Sequence, residues 1–217
     1  MISTRNLGQL PDPLSLKKLT KALAMLDAIV EREWEYRYYS FNGKWSDYEE
    51  MASMRNGEGD SWYCVFGPAG VFLKGFDHES KMSPWNRADE LVWPGVLDQV
   101  PSVFEPCATE PAFSMGDTTY CVWRENGEKE WKTGNISFPD VDDPDGSTWM
   151  LSILDSNPLT YKEWAEEYYD RPISTHAIKQ IYEGILLTPD LVRELNPKIE
   201  FESILADAGE IGYPLAE

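Results

Sequence analysis

Apolar residues at Leu16, Leu19, Leu23, Leu26 and Val30 recur at alternating steps of three and four, the spacing of one stripe along an α-helix. Asp12 supplies a capping carboxylate and Pro13 suits the first turn, so the pattern predicts a helix from Pro13 to about residue 32. Its stripe is expected to pack on the domain's own sheet. The period then changes to two. Trp34, Tyr36 and Tyr38 alternate with Glu35 and Arg37, which predicts a half-buried strand.

Turn signals divide the chain beyond this point. Asn42-Gly43 reads as a tight hairpin turn, and Asn56-Gly57 closes MASMRNG ahead of SWYCVF. GPAG at 67–70 separates SWYCVF from VFLKGF, with Gly67 and Gly70 expected to supply positive φ angles. It lacks the Lys-Ser/Thr and following helix of a phosphate loop, so it reads as a hairpin. Residues 81–117 carry five prolines and read as a long connection, with helical turns in LVWPGVLDQV and SVFEPC. A second hairpin is expected in DTTYCVWRENGEKEWKTG, with Asn126-Gly127 at its tip.

From residue 147 the pattern is helical. GSTWMLSIL gives a short apolar helix, and Thr160 with Glu163 forms a capping box for the next. Ser174 restarts the chain after Pro172, Thr188-Pro189 opens a further helix, and a last one ends near Gly209. Strands precede helices without βαβ alternation. The expected class is therefore α+β: an N-terminal helix, an antiparallel meander of about five to seven strands and a C-terminal helical cluster. Residues 1–217 are expected to form a single domain, with helix plus sheet in 1–138 and a helical part in 147–217 packed on it.

Charge changes the functional picture. Net charge is −19, and residues 125–217, with 7 basic and 20 acidic side chains, carry −13 of it. Such a surface repels polyanions, so nucleic acid and anionic membranes are not expected partners, whereas a basic protein is attracted. The N-terminus has no basic stretch ahead of an apolar run, and no window resembles a membrane span. Cys64, Cys107 and Cys121 are odd in number without C-x-x-C spacing, which points to the cytoplasm. No cofactor is expected.

Candidate chemistry is sparse. GFDHES places Asp77, His78 and Glu79 at a strand exit, where an imidazole can act as a base or metal ligand. In an extended chain Asp77 and Glu79 face away from His78, so convergence requires a turn. FPDVDDPDGS offers Asp140, Asp142, Asp143 and Asp145 as divalent-ion ligands. The EF-hand pattern fails, because Val141 and Ser152 stand where acidic residues belong. EWAEEYYD presents Glu163, Glu166, Glu167 and Asp170, with Tyr168 and Tyr169 as anchors, where a basic partner could dock. His176, in the first turn of its helix, is expected to be structural or exposed.

The stretches MASMRNG (51–57), GFDHES (75–80), DTTYCVWR (117–124) and EWAEEYYD (163–170) together resemble an uncharacterised family of bacterial hypothetical proteins. The resemblance implies a bacterial cytoplasmic protein and transfers no activity. It adds weight to Arg55, Asn56, Asp77, His78 and Glu79 as parts of a shared site. The leading expectation is a non-enzymatic acidic module, immunity- or antitoxin-like, engaging a basic protein. The alternative is a hydrolase-like or metal-assisted enzyme centred on Asp77, His78 and Glu79.

Overall fold

The computed structural model describes residues 1–216. Helix α1 spans Pro13–Val30, and the Asp12 carboxylate accepts the N–H groups of Leu14 and Ser15 at its start. Six strands come after it: β1 Tyr39–Asn42, β2 Glu50–Arg55, β3 Ser61–Gly67, β4 Gly70–Phe76, and then, after short helix α2 at Glu105–Ala108, β5 Tyr120–Glu125 and β6 Lys132–Thr133. They form one sheet in the order β1-β2-β3-β4-β5-β6, every pair antiparallel. The class is α+β. Helices α3 Ser147–Met150, α4 Pro158–Tyr168, α5 Thr175–Glu183, α6 Pro189–Leu195 and α7 Leu205–Ile211 complete the chain.

Both faces of the sheet are covered. Trp62, Cys64, Leu73, Tyr120 and Val122 point toward α1 and the C-terminal helices and share the larger core. Their strand neighbours Val65, Phe72, Cys121 and Trp123 point the other way, beneath the proline-rich connection that contributes Met82, Val96, Phe104 and Phe113. This two-sided burial results from the period of two, which sends successive side chains to opposite faces.

Several local expectations are corrected. Residues Trp34–Tyr36 form one turn of 3-10 helix, and the strand begins only at Tyr39. The cause is Asp27, whose buried Oδ2 accepts the N–H groups of Tyr38 and Tyr39 and fixes the entry to β1. Asn42-Gly43 is no two-residue turn: residues 43–49 link β1 to β2, and Gly43 N–H donates to Glu210 O. A Cβ at Gly43 would stand 2.8 Å from that oxygen, so the glycine admits a close approach of α7. At GPAG only Gly70 has positive φ. LVWPGVLDQV is irregular, while SVFEPC does turn helically into α2. Asn157 caps α4 in place of the Thr160–Glu163 box, because Pro158 already occupies the first turn.

Candidate functional site

The register that pairs Ser61 with Phe76 brings the next residues, Asp60 and Asp77, to the open end of the β3–β4 ladder. His78 comes directly after. Asp60 Oδ1 accepts the His78 backbone N–H at 2.8 Å and lies 2.7 Å from His78 Nδ1. The carboxylate is itself held by the Asn56 side-chain amide. A proton on Nδ1 shared with Asp60 leaves Nε2 as the outward-facing nitrogen of a half-buried ring. The hydrogen bond to Asp60 is the main reason the imidazole is held above its ordinary pKa. A Cβ at Gly59, which has φ +122°, would stand 3.5 Å from His78 Nδ1.

The other two members of GFDHES have different roles. Asp77 Oδ1 accepts the N–H groups of Glu79 and Ser80, and Oδ2 accepts Trp149 Nε1–H at 2.9 Å. Its carboxylate therefore makes the turn and ties it to α3. Glu79 projects into solvent, with Oε1 3.9 Å from His78 Nε2. The turn draws the carboxylates toward His78, but the closely bonded partner is Asp60. Asp60, Asp77 and His78 each present one ligand-type atom, all within 4.8 Å of one another.

One residue from Asn56, the Arg55 guanidinium stacks on the Trp34 ring at 3.9 Å. Tyr168 of α4 donates its hydroxyl to Tyr36 O and meets Tyr38 edge-on at 4.7 Å. Trp34, Tyr36 and Tyr168 are 56%, 55% and 42% exposed, forming an aromatic face beside buried Tyr39 and the partly buried Tyr38 and Trp164. Burial raises the Tyr168 hydroxyl pKa first, and the charges of Asp27, Glu31 and Glu58 add to it. The Glu31 and Glu58 carboxylates therefore act on this face, and the Arg55 guanidinium lies on it over Trp34.

Of the partner residues expected from the sequence, Glu163, Glu167, Tyr168 and Asp170 are exposed. Glu166 instead accepts Ile173 N–H and pairs with Lys162, and the Tyr169 hydroxyl is buried. In the acidic loop, Asp143 accepts the N–H groups of Thr148 and Trp149, while buried Asp145 accepts from Ser147 and from the Thr4 hydroxyl. Those two carboxylates hold α3 and the N-terminal segment; Asp140 and Asp142 remain exposed. His176 is exposed beside Gln180. The three cysteines are buried free thiols, pushed up in pKa by burial, Cys107 to about 12.

Three polar residues are not marked as functional by the sequence pattern. Asp60 sits in a hairpin loop with no local pattern to distinguish it. Asp27 lies within an otherwise apolar helix, fully buried, and burial raises its pKa to about 6. Lys74 is 1% exposed, with its ammonium between the rings of Tyr63 and Phe76 and opposite Cys121 in the ladder. Burial lowers its pKa to about 8. A lone polar residue in an apolar run is the signal that both Asp27 and Lys74 carry. Comparison of the chain with protein-family models, curated proteins and solved structures gives no match.

Proposed function

We propose that the protein is a non-enzymatic acidic binding module that engages a basic protein partner, in the manner of immunity proteins and antitoxins. The observation that carries this reading is the exposed aromatic face of Trp34, Tyr36 and Tyr168 on a chain of net charge −19. Aromatic side chains supply most of the anchoring energy in protein interfaces, and surrounding charge sets the encounter rate and the choice of partner. Glu163 and Glu167 on α4 extend the negative surface. The net charge of −19 disfavours nucleic acid and anionic membranes as alternatives. Among the described residues no helix is long and apolar enough to cross a membrane. Three unbridged cysteines fit a reducing cytoplasm.

The test is affinity capture on the tagged protein at low salt, from extract of its source organism, with elution by rising salt. A stoichiometric basic protein is expected, and Trp34→Ala or Tyr168→Ala should weaken its binding roughly tenfold or more. Val103→Ala, exposed on the proline-rich connection, should leave it unchanged. Binding that ignores ionic strength, or that survives both aromatic substitutions, would count against the proposal.

A second reading, a hydrolase-like or metal-assisted enzyme, is favoured by the Asp60–His78 hydrogen bond, which orients an imidazole as general bases and metal ligands are oriented. It predicts one-to-one Zn²⁺ binding in calorimetry that is lost in both His78→Ala and Asp60→Ala. Zinc uptake indifferent to these substitutions would remove the metal-assisted form.

A further inference from the structure

The outward side of α1 carries Leu14, Lys17, Lys18 and Lys21 at steps of three, one and three, so all four share one helix face. This face forms one wall of a cavity of about 580 Å³, closed on the other side by the C-terminal ends of α5 and α7. The lining is mostly apolar. Ile181 and the Tyr213 ring are its buried residues, and the Tyr213 hydroxyl lies 3.0 Å from the Ile185 carbonyl and 3.2 Å from that of Ile181, donating its one proton between them. Leu14, 78% exposed, stands at the rim with nothing of its own to pack against.

The walls are low where the lysines cross them. Gly184 and Gly212 end α5 and α7 in the left-handed conformation, at φ +75° and +69°. A Cβ at either would stand 3.2 Å from the Lys18 Cε or the Lys21 Nζ. The Lys18 stem therefore lies along the cavity edge at Gly184, while the Lys21 ammonium is held by Glu50 and over the Phe41 ring. A neighbouring hollow of about 330 Å³ continues past Lys18 and adds Lys179.

Charge makes this region unlike the rest of the surface. Four of the eleven lysines surround these two hollows in a chain of net charge −19, against one carboxylate, Glu183, that lines both. Glu50 pairs with Lys17 and Lys21, but among the described residues neither Lys18 nor Lys179 takes part in an ion pair. A lysine against a helix C-terminus offsets the helix dipole, which accounts for one cation at each helix end. It does not account for the apolar cavity beneath them or for the further cation at Lys179, whereas Lys17 is matched by Glu50. Pockets of this size that are mainly apolar with a few convergent polar groups are the usual form of small-molecule sites.

We propose that this cavity binds a small amphipathic carboxylate, with its aliphatic chain against Leu14, Pro214 and the edge of the Tyr213 ring and its carboxylate on Lys18. The site lies apart from the Trp34–Tyr168 face and does not depend on the protein-binding reading.

The experiment is isothermal titration calorimetry of the full chain at low salt with octanoate, decanoate and 1-octanol, each alone. Octanoate and decanoate should bind one to one, with affinity rising roughly threefold for each added methylene as apolar surface is buried. Octanol should bind at least roughly tenfold more weakly, and Lys18→Gln should weaken octanoate roughly tenfold. Lys198→Gln, exposed elsewhere, should change nothing. Equal affinity for octanol and octanoate, no dependence on chain length, unchanged binding in Lys18→Gln, or no binding at all would each overturn the proposal.

Discussion

At the scale of the residue, the pairing of Asp60 with His78 has a direct readout. An imidazole whose Nδ1–H is held by a carboxylate keeps its proton to higher pH than a free one, whose pKa is about 6.5. The stability this pairing adds is full below about pH 6.5 and is lost as pH rises through the higher folded pKa of His78. With only two histidines in the chain, the ring resonances are readily assigned by NMR. The His78 midpoint should lie above the ordinary value and fall in Asp60→Asn, which removes the charge while keeping the shape. A His78 midpoint unmoved by that substitution would mean that Asp60 does not set its protonation. The pairing itself is illegible in the sequence, because eighteen residues separate the partners and only the β3–β4 register joins them. The neighbour that sequence does offer, Asp77, is engaged by three N–H donors.

At the scale of the element, periodicity, read with turn and cap chemistry, is a good guide wherever a segment's own residues decide its conformation. The α1 stripe, the GPAG hairpin and the caps at Ser174 and Thr188 are all present as their residues suggest. It misleads at Trp34–Tyr38, where alternation imitates a strand but a tertiary contact decides. Asp27, inside α1 and fully buried, takes the N–H groups of Tyr38 and Tyr39 and the Tyr161 hydroxyl, joining α1, β1 and α4 at one carboxylate. Burial there raises its pKa from 3.8 to about 6 despite the hydrogen bonds that act to lower it. The native state therefore binds more protons at this group than the unfolded chain does between about pH 4 and 6. Its contribution to stability falls as pH rises through that window and is flat above it, a change of about 3 kcal/mol. Asp27→Asn keeps an acceptor for the two backbone N–H groups and turns its amide toward the Tyr161 oxygen. Urea unfolding of both proteins at pH 4.5, 6 and 7.5 should show the variant gaining on the wild type as pH rises. A difference independent of pH would mean that Asp27 titrates as an exposed carboxylate.

For the whole molecule, charge and fold meet in the response to salt. Composition makes the acidic bias legible, but not its arrangement, which needs the fold to bring α1, α5 and α7 together around four lysines. A net charge of −19 on a chain of 217 residues opposes compaction through self-repulsion, and salt screens that repulsion over a Debye length of about 10 Å at 0.1 M. The ion pairs that salt also weakens are few and mostly near the surface, where each contributes little. The melting temperature should therefore rise as NaCl increases from about 10 to 200 mM. Binding of a basic partner to the Trp34–Tyr168 face should weaken over the same range, because screening acts there on an attraction. The two responses have opposite signs and one cause, and thermal melts alongside binding titrations in the same buffers separate them. A melting temperature that falls with salt would mean that attractive pairs, and not the excess of carboxylates, dominate the electrostatics of the folded chain.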